Sequence, residues 1–166
     1  VLNWAKDNNL GFKNVVSLGN KAVLDEGDFI EAWDEDEDTD VVLGYLEDID
    51  NGREFVETAQ EVTQSTPVVV VKSGRTDAGA SAAASHTGAI AGSDKAYEAG
   101  LEQAGVLRAE SVQELFDSAT MLSGQPLPDG DEVAIITNAG GPGVMTTDAV
   151  GDSDLDLADL EDETLD

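Results

Sequence analysis

Four consecutive valines, Val68 to Val71, stand between Pro67 and Lys72. A β-branched run this short reads as a strand, and because no polar residue alternates along it, both faces must be covered. Strands covered on both faces belong to parallel sheets, whose crossover connections lay helices on each side. The rest of the chain follows suit. Residues 1–9 read as the tail of a helix, and Asn14 to Leu18 as a short strand running into a Gly19-Asn20 turn. Asp28 to Trp33 has helical spacing and leads into an acidic stretch from Asp34 to Asp40. Asp40 to Glu47 reads as a strand, Gly52 to Gln60 as a helix and Pro67 to Lys72 as the valine strand. After a small-residue loop from Ser73 to Ser85 come a helix over Asp94 to Gln103, a strand at Val106 to Arg108 and a helix from Ser111 to Leu122. This βα alternation predicts a doubly wound α/β domain.

Ser123 to Asp131 interrupts the pattern with two Pro and two Gly. A boundary is expected there, giving one domain over residues 1–124, a linker over 125–131 and an incomplete second domain over 132–166. In the last part, Glu132 to Thr137 is expected as a strand, Gly140-Gly141-Pro142-Gly143 as a turn and Val144 to Val150 as a helix. A start without Met and a highly acidic stop lead us to expect a piece of a larger protein.

Charge narrows the partners. Asp and Glu number 36 against eight Lys and Arg, for a formal charge of -28. Such a surface repels nucleic acid and anionic membranes, and the cations form no patch. High charge with few aromatics is also a mark of disorder, but strand-length apolar bunching argues for a fold. Adaptation to molar salt is one origin of this composition, because screening there shortens the Debye length to about 3 Å. An acidic protein of an ordinary cell is the other. The chain lacks Cys, which removes disulfides and thiolate chemistry, and no apolar run is long enough to span a membrane. A soluble, cytoplasmic protein is expected.

Four features invite a chemical reading. The acidic runs resemble calcium loops in spacing, but Thr39 and Leu157 stand where the sharp turn needs Gly, so a solvated surface is expected and no metal site. His86, the single histidine, follows the Ser73 to Ser85 loop at the carboxyl side of a parallel strand, the edge where open α/β sheets hold ligands. With no second His and no nucleophile elbow, chemistry at His86 means that the imidazole is itself the nucleophile; otherwise it is a surface or capping residue. A phosphorylated imidazole keeps a high transfer potential, but it needs a carboxylate on its other nitrogen. Glu47, ending the preceding strand, is placed to supply one, or it is one more surface acid. The Gly140 to Gly143 segment before a helix offers an anion-binding start, or an ordinary tight βα turn.

Taken together and in order, five segments carry a resemblance. They are Asn14-Val15-Val16-Ser17-Leu18-Gly19-Asn20-Lys21-Ala22, Leu43-Gly44-Tyr45-Leu46-Glu47, Lys72-Ser73-Gly74-Arg75-Thr76, Ser85-His86-Thr87-Gly88-Ala89-Ile90-Ala91-Gly92 and Thr137-Asn138-Ala139-Gly140-Gly141-Pro142-Gly143-Val144. They resemble the NDP-forming acyl-CoA synthetases, which include ADP-forming acetate–CoA ligases and are relatives of the succinyl-CoA synthetase α-subunit. The resemblance implies a flavodoxin-like fold and a second domain of the same kind. It implies His86 as the phosphoryl acceptor, Glu47 as the carboxylate that orients it, and Gly140, Gly141, Gly143, Thr87 and Gly88 as phosphate-binding residues. It further implies coenzyme A as a substrate, ADP or ATP with Mg²⁺ held mainly outside this chain, CoA-binding and ATP-grasp modules on the same or a partner chain, and an oligomer. Two other readings stand beside it: a sensing or scaffold domain of an acetyltransferase-fused relative, and an acidic flavodoxin-like electron carrier, for which Ser17 to Lys21 makes a poor phosphate loop.

Overall fold

A computed structural model of the chain describes residues 2–7, 10–19, 21–76, 79, 93–128 and 130–160. The chain divides into two compact units, Val1–Pro126 and Leu127–Asp166.

In the first unit the valine run forms the middle of a three-stranded parallel sheet. Its strands are β1 (Val42–Leu46), β2 (Val68–Lys72) and β3 (Leu107–Ala109), in the order β1-β2-β3. Val42 pairs with Val68 and Leu46 with Lys72 across one ladder, and Val69 to Val71 pair with Leu107 to Ala109 across the other. Every residue of β2 is buried, as a run without alternation requires. Its side chains divide between two layers. Val68 and Val70 join Ile30, Val42, Leu46, Phe55, Ala59, Val62, Leu101, Ala104 and Val106 on one face, and Val69 and Val71 join Ala109 and Leu115 on the other.

Helices follow from caps as much as from apolar spacing. A first helix, α1 (Leu2–Asp7), is followed by α2 (Glu26–Asp34), which starts on a capping box: Asp25 accepts from the amides of Gly27 and Asp28, and Asp28 accepts in return from the Asp25 amide. Asn51 caps α3 (Gly52–Val62), Ser93 caps α4 (Asp94–Gln103) and Ser111 caps α5 (Val112–Gly124), each through a side-chain oxygen that accepts from a first-turn amide. These positions agree with the helices expected from the sequence.

One expected element is missing. Residues 14–18 form no strand: Val15 is 58% and Val16 45% exposed, and a cavity of about 980 Å³ lies between residues 10–16 and the β1 edge. Upstream, Phe12 packs edge-on against Phe116, at 6.1 Å between ring centroids. With that cavity between the segment and β1, the ladder bonds a strand needs are not made.

The second unit is a small βαβ arrangement: β4 (Glu132–Val133), α6 (Gly140–Gly151) and β5 (Asp156–Leu157), with the two strands parallel. Two expectations need correction here. The strand expected to Thr137 stops at Val133, because β5 offers only two residues to pair with. The Gly140 to Gly143 turn is in fact the first turn of α6; Pro142 fits there because first-turn amides have no intrahelical acceptor to lose.

Candidate active site

Parallel strands deliver their carboxyl ends to one edge of a sheet, and in the first unit that edge gathers charge. β1 exits into Glu47 and Asp48, β2 ends on Lys72, and β3 contributes Arg108. Glu47, half-buried, is the first residue past β1, as expected from the sequence. The exits of β1 and β2 are tied together: the Leu46 carbonyl accepts from the Ser73 amide at 2.9 Å and from the Ser73 hydroxyl at 3.4 Å.

His86, Thr87 and Gly88 lie outside the described residues. The described residues that flank their segment do meet. Arg75, three residues past the end of β2, reaches Asp94 at the start of α4 (3.7 Å) and also pairs with Glu110 beyond β3. Asp94 pairs in turn with Arg108, and this bond holds the Asp94 carboxyl below the usual aspartate range. The residues flanking the segment that carries His86 therefore meet at the carboxyl edge of the sheet, the same edge from which β1 exits into Glu47.

Lys72 was not singled out from the sequence. It is only 4% exposed; its ammonium donates to the Ser73 carbonyl at 2.5 Å and lies 4.3 Å from the centre of the Tyr97 ring. Burial lowers its pKa below the ordinary lysine value, against the opposing pull of Asp94, Asp48 and Glu47. The available signal was a lysine closing an otherwise apolar strand in a chain that has eight cations.

Gly140, Gly141 and Gly143 lie in the second unit, at the start of α6. Ala139 caps this helix with no side-chain bond, so the first-turn amides keep their capacity to donate to an anion. A methyl group at Gly143 would approach Thr137 Cγ2 to 3.0 Å, so packing asks for a small residue there. Added at Gly140 or Gly141 it would meet nothing within 4 Å. Packing within the described residues does not call for glycine at those two positions.

Among the described residues no group of three His, Cys, Asp or Glu side chains is placed to hold a metal ion. The acidic run has other work: Asp34 accepts from the hydroxyls of Ser65 (2.7 Å) and Thr66 (2.6 Å), and Asp36 pairs with Lys13 (2.6 Å). No described helix is long and apolar enough to cross a membrane.

Residues 1–122 match the family model of the succinyl-CoA ligase like flavodoxin domain. The chain is 48% identical over 163 residues to the ADP-forming acetate–CoA ligase I subunit alpha of Pyrococcus furiosus, covering 98% of this chain and 35% of that protein. It is 46% identical over 153 residues to the ADP-forming 4-hydroxybutyrate–CoA ligase of Nitrosopumilus maritimus, covering 91% of this chain and 22% of that protein. Among solved structures it resembles the dinucleotide forming acetyl-coenzyme A synthetase 1 of Ca. Korarchaeum cryptofilum in complex with phosphate and ADP. The TM-score there is 0.84 at 42% identity, over 96% of this chain and 35% of that one. The chain thus spans about a third or less of the length of these relatives.

Proposed function

Since the chain belongs to the family of succinyl-CoA ligase-like flavodoxin domains, we propose that it is part of an ADP-forming acyl-CoA ligase of the acetate type. The reaction converts acyl-CoA, ADP and phosphate reversibly into carboxylic acid, ATP and CoA, through a phosphohistidine on His86. The observation that carries this reading is the carboxyl edge of the sheet, where β1 exits into Glu47 and the residues flanking the His86 segment are joined through Arg75 and Asp94. The named relatives are ligases that form CoA thioesters from acetate and 4-hydroxybutyrate, which favours a catalytic domain over a sensing scaffold.

The chemistry divides into three transfers. A phosphate oxygen attacks the thioester carbonyl; the C–S bond breaks, CoA leaves as thiolate and an acyl phosphate forms. The free nitrogen lone pair of His86 then attacks phosphorus, so that an N–P bond forms while the P–O bond to the acyl group breaks and the carboxylate leaves with its electron pair. The ring is now cationic, and Glu47 balances it by accepting from the other ring nitrogen, which keeps its proton. Finally a terminal oxygen of ADP attacks phosphorus and returns the N–P electron pair to the ring, giving ATP. The amides of Gly140 and Gly141, with Thr87 and Gly88, donate to the phosphoryl oxygens, and Gly143 keeps the helix start compact. Mg²⁺, held with the nucleotide mainly outside this chain, offsets phosphate charge.

Residues 1–124 form the phosphohistidine domain, 125–131 a linker and 132–166 the start of a second flavodoxin-like domain. CoA-binding and ATP-grasp modules, on the same or a partner chain, complete an oligomeric enzyme of the cytoplasm, and this chain alone is inactive. A halophilic host accounts for the charge of -28.

The full-length protein, incubated with γ-labelled ATP and Mg²⁺, is expected to acquire acid-labile, base-stable label on His86. A His86→Asn variant that labels as strongly as the parent would overturn the mechanism.

A further inference from the structure

We infer that Lys21, seated on the buried carboxylate of Glu26 and bonded to Asp48, is the positioning residue for Glu47. The inference rests on the reading that Glu47 orients His86.

The backbone on each side of Glu47 is held from a different direction. Before it, the Leu46 carbonyl accepts from Ser73 at the exit of β2. After it, the Lys21 ammonium donates to the Asp48 carbonyl at 2.8 Å and to the Asp48 carboxylate at 2.9 Å. Residues 46 to 48 are thereby bracketed by two clamps, one from the strand that leads toward His86 and one from Lys21 through Asp48. The first bond is on the peptide that leads into Glu47 and the second is one peptide beyond the residue that follows it, so together they restrain the short stretch of backbone that carries Glu47, and a carboxylate that must meet an imidazole in one geometry needs that backbone held.

Lys21 is built for this at some cost. Its backbone has φ of 48°, a left-handed conformation that L side chains rarely adopt and that persists where surrounding bonds impose it. Its side chain is 11% exposed. Burial pulls the ammonium toward neutrality, but the bond to Asp48 and the charge of Glu26 outweigh it, so Lys21 is held above its ordinary value. Glu26 lies 3.3 Å from the ammonium and is 6% exposed, and its carboxylate oxygens accept no hydrogen bond among the described residues. It opens α2, whose capping box locks the helix start in place. Replacing a buried ion cluster by well-packed apolar side chains is often neutral or stabilising, so stability is a weak reason to keep one, and fixing one geometry beside Glu47 is a stronger reason.

The test uses the full-length protein and the rate of His86 labelling by γ-labelled ATP. Lys21→Met is expected to slow labelling by about 10- to 100-fold, the range for a misplaced catalytic group, with KM for ATP unchanged. Glu26→Gln keeps the side-chain volume and removes the counter-charge; it slows labelling in the same sense and carries the comparison if Lys21→Met does not fold. Combined with Glu47→Gln, either substitution adds no further loss, since a residue that acts only through Glu47 then has nothing to position. Losses that multiply would overturn the proposal, as would parental labelling by both single variants. Parental labelling by Glu47→Gln would instead overturn the reading on which the proposal rests.

Discussion

Lys72 shows how the rare cations of this chain are used. The chain has eight lysines and arginines, and the side chains of Lys21 and Arg108 are each 11% exposed, while Lys72 as a residue is 4% exposed. Their counter-charges lie at the carboxyl edge of the sheet, where the proposed chemistry takes place. For Lys72 the energetic sign can be worked out. Burial lowers its folded-state pKa below the ordinary 10.5, so between those two values the folded state binds fewer protons than the unfolded state and stability rises with pH. Below that window the charged lysine costs stability throughout. Lys72→Met is therefore expected to be as stable as the parent or more so near pH 7, and to lack the parent's rise in denaturation midpoint as the pH approaches about 10. Equal pH slopes in the two proteins would contradict the assignment. Glu47 could be named as a candidate from the sequence because it ends a strand that precedes the His86 loop. Lys21 and Lys72 could not, since their roles depend on the register of β1 against β2 and on a left-handed backbone angle that local pattern does not encode.

Among the elements, β2 and the capped helices were legible because each carries its own signal: an unbroken valine run, or Asp, Asn or Ser before a first turn. The end of α4 is equally explicit. Gly105 has φ of 67°, its amide donates to the Glu102 carbonyl at 3.1 Å, and the Val106 amide donates to the Leu101 carbonyl at 2.9 Å. This is a Schellman termination, and Leu101 and Val106 are both buried in the same apolar cluster. A methyl group at Gly105 would fall 2.8 Å from Thr63 Oγ1, and Thr63 is held by its bond to the Ala104 carbonyl. Gly105→Ala is expected to cost about 1–2 kcal/mol, read as a lower melting temperature with the fold retained. The elements that sequence reasoning missed depend on a partner outside themselves. Residues 14–18 have strand-like side chains, yet they stand off the β1 edge across a cavity and find no partner strand among the described residues. Val133 ends β4 because β5 offers two residues, and Ile136 beyond it is 97% exposed. Periodicity describes a segment's own preference, whereas a ladder needs a second strand to agree with it.

At the scale of the whole molecule, most of the net charge lies away from the paired charges of the sheet edge. The net charge of -28 is carried mostly by exposed carboxylates that repel one another, while the ion pairs at the sheet edge are local and partly shielded. Raising the salt from about 0.1 M to about 1 M shortens the Debye length from about 10 Å to about 3 Å and screens the surface repulsion far more than the buried pairs. The melting temperature of the full-length protein is expected to climb over that range, and a flat response would show that surface repulsion is no real burden on the fold. The relatives differ in the acid they use, acetate in one and 4-hydroxybutyrate in another, although this chain matches both over nearly its whole length. Under the proposed mechanism this is expected, because the phosphate and the imidazole would be the same whichever acid enters.

The double commitment of β2 has a further consequence. Alternate valines of one strand belong to opposite apolar layers, so neither layer can open without exposing the strand that anchors the other. The first unit is in effect a single cooperative body, and a defect introduced behind the sheet is felt in front of it, at the edge where Lys72 closes the same strand.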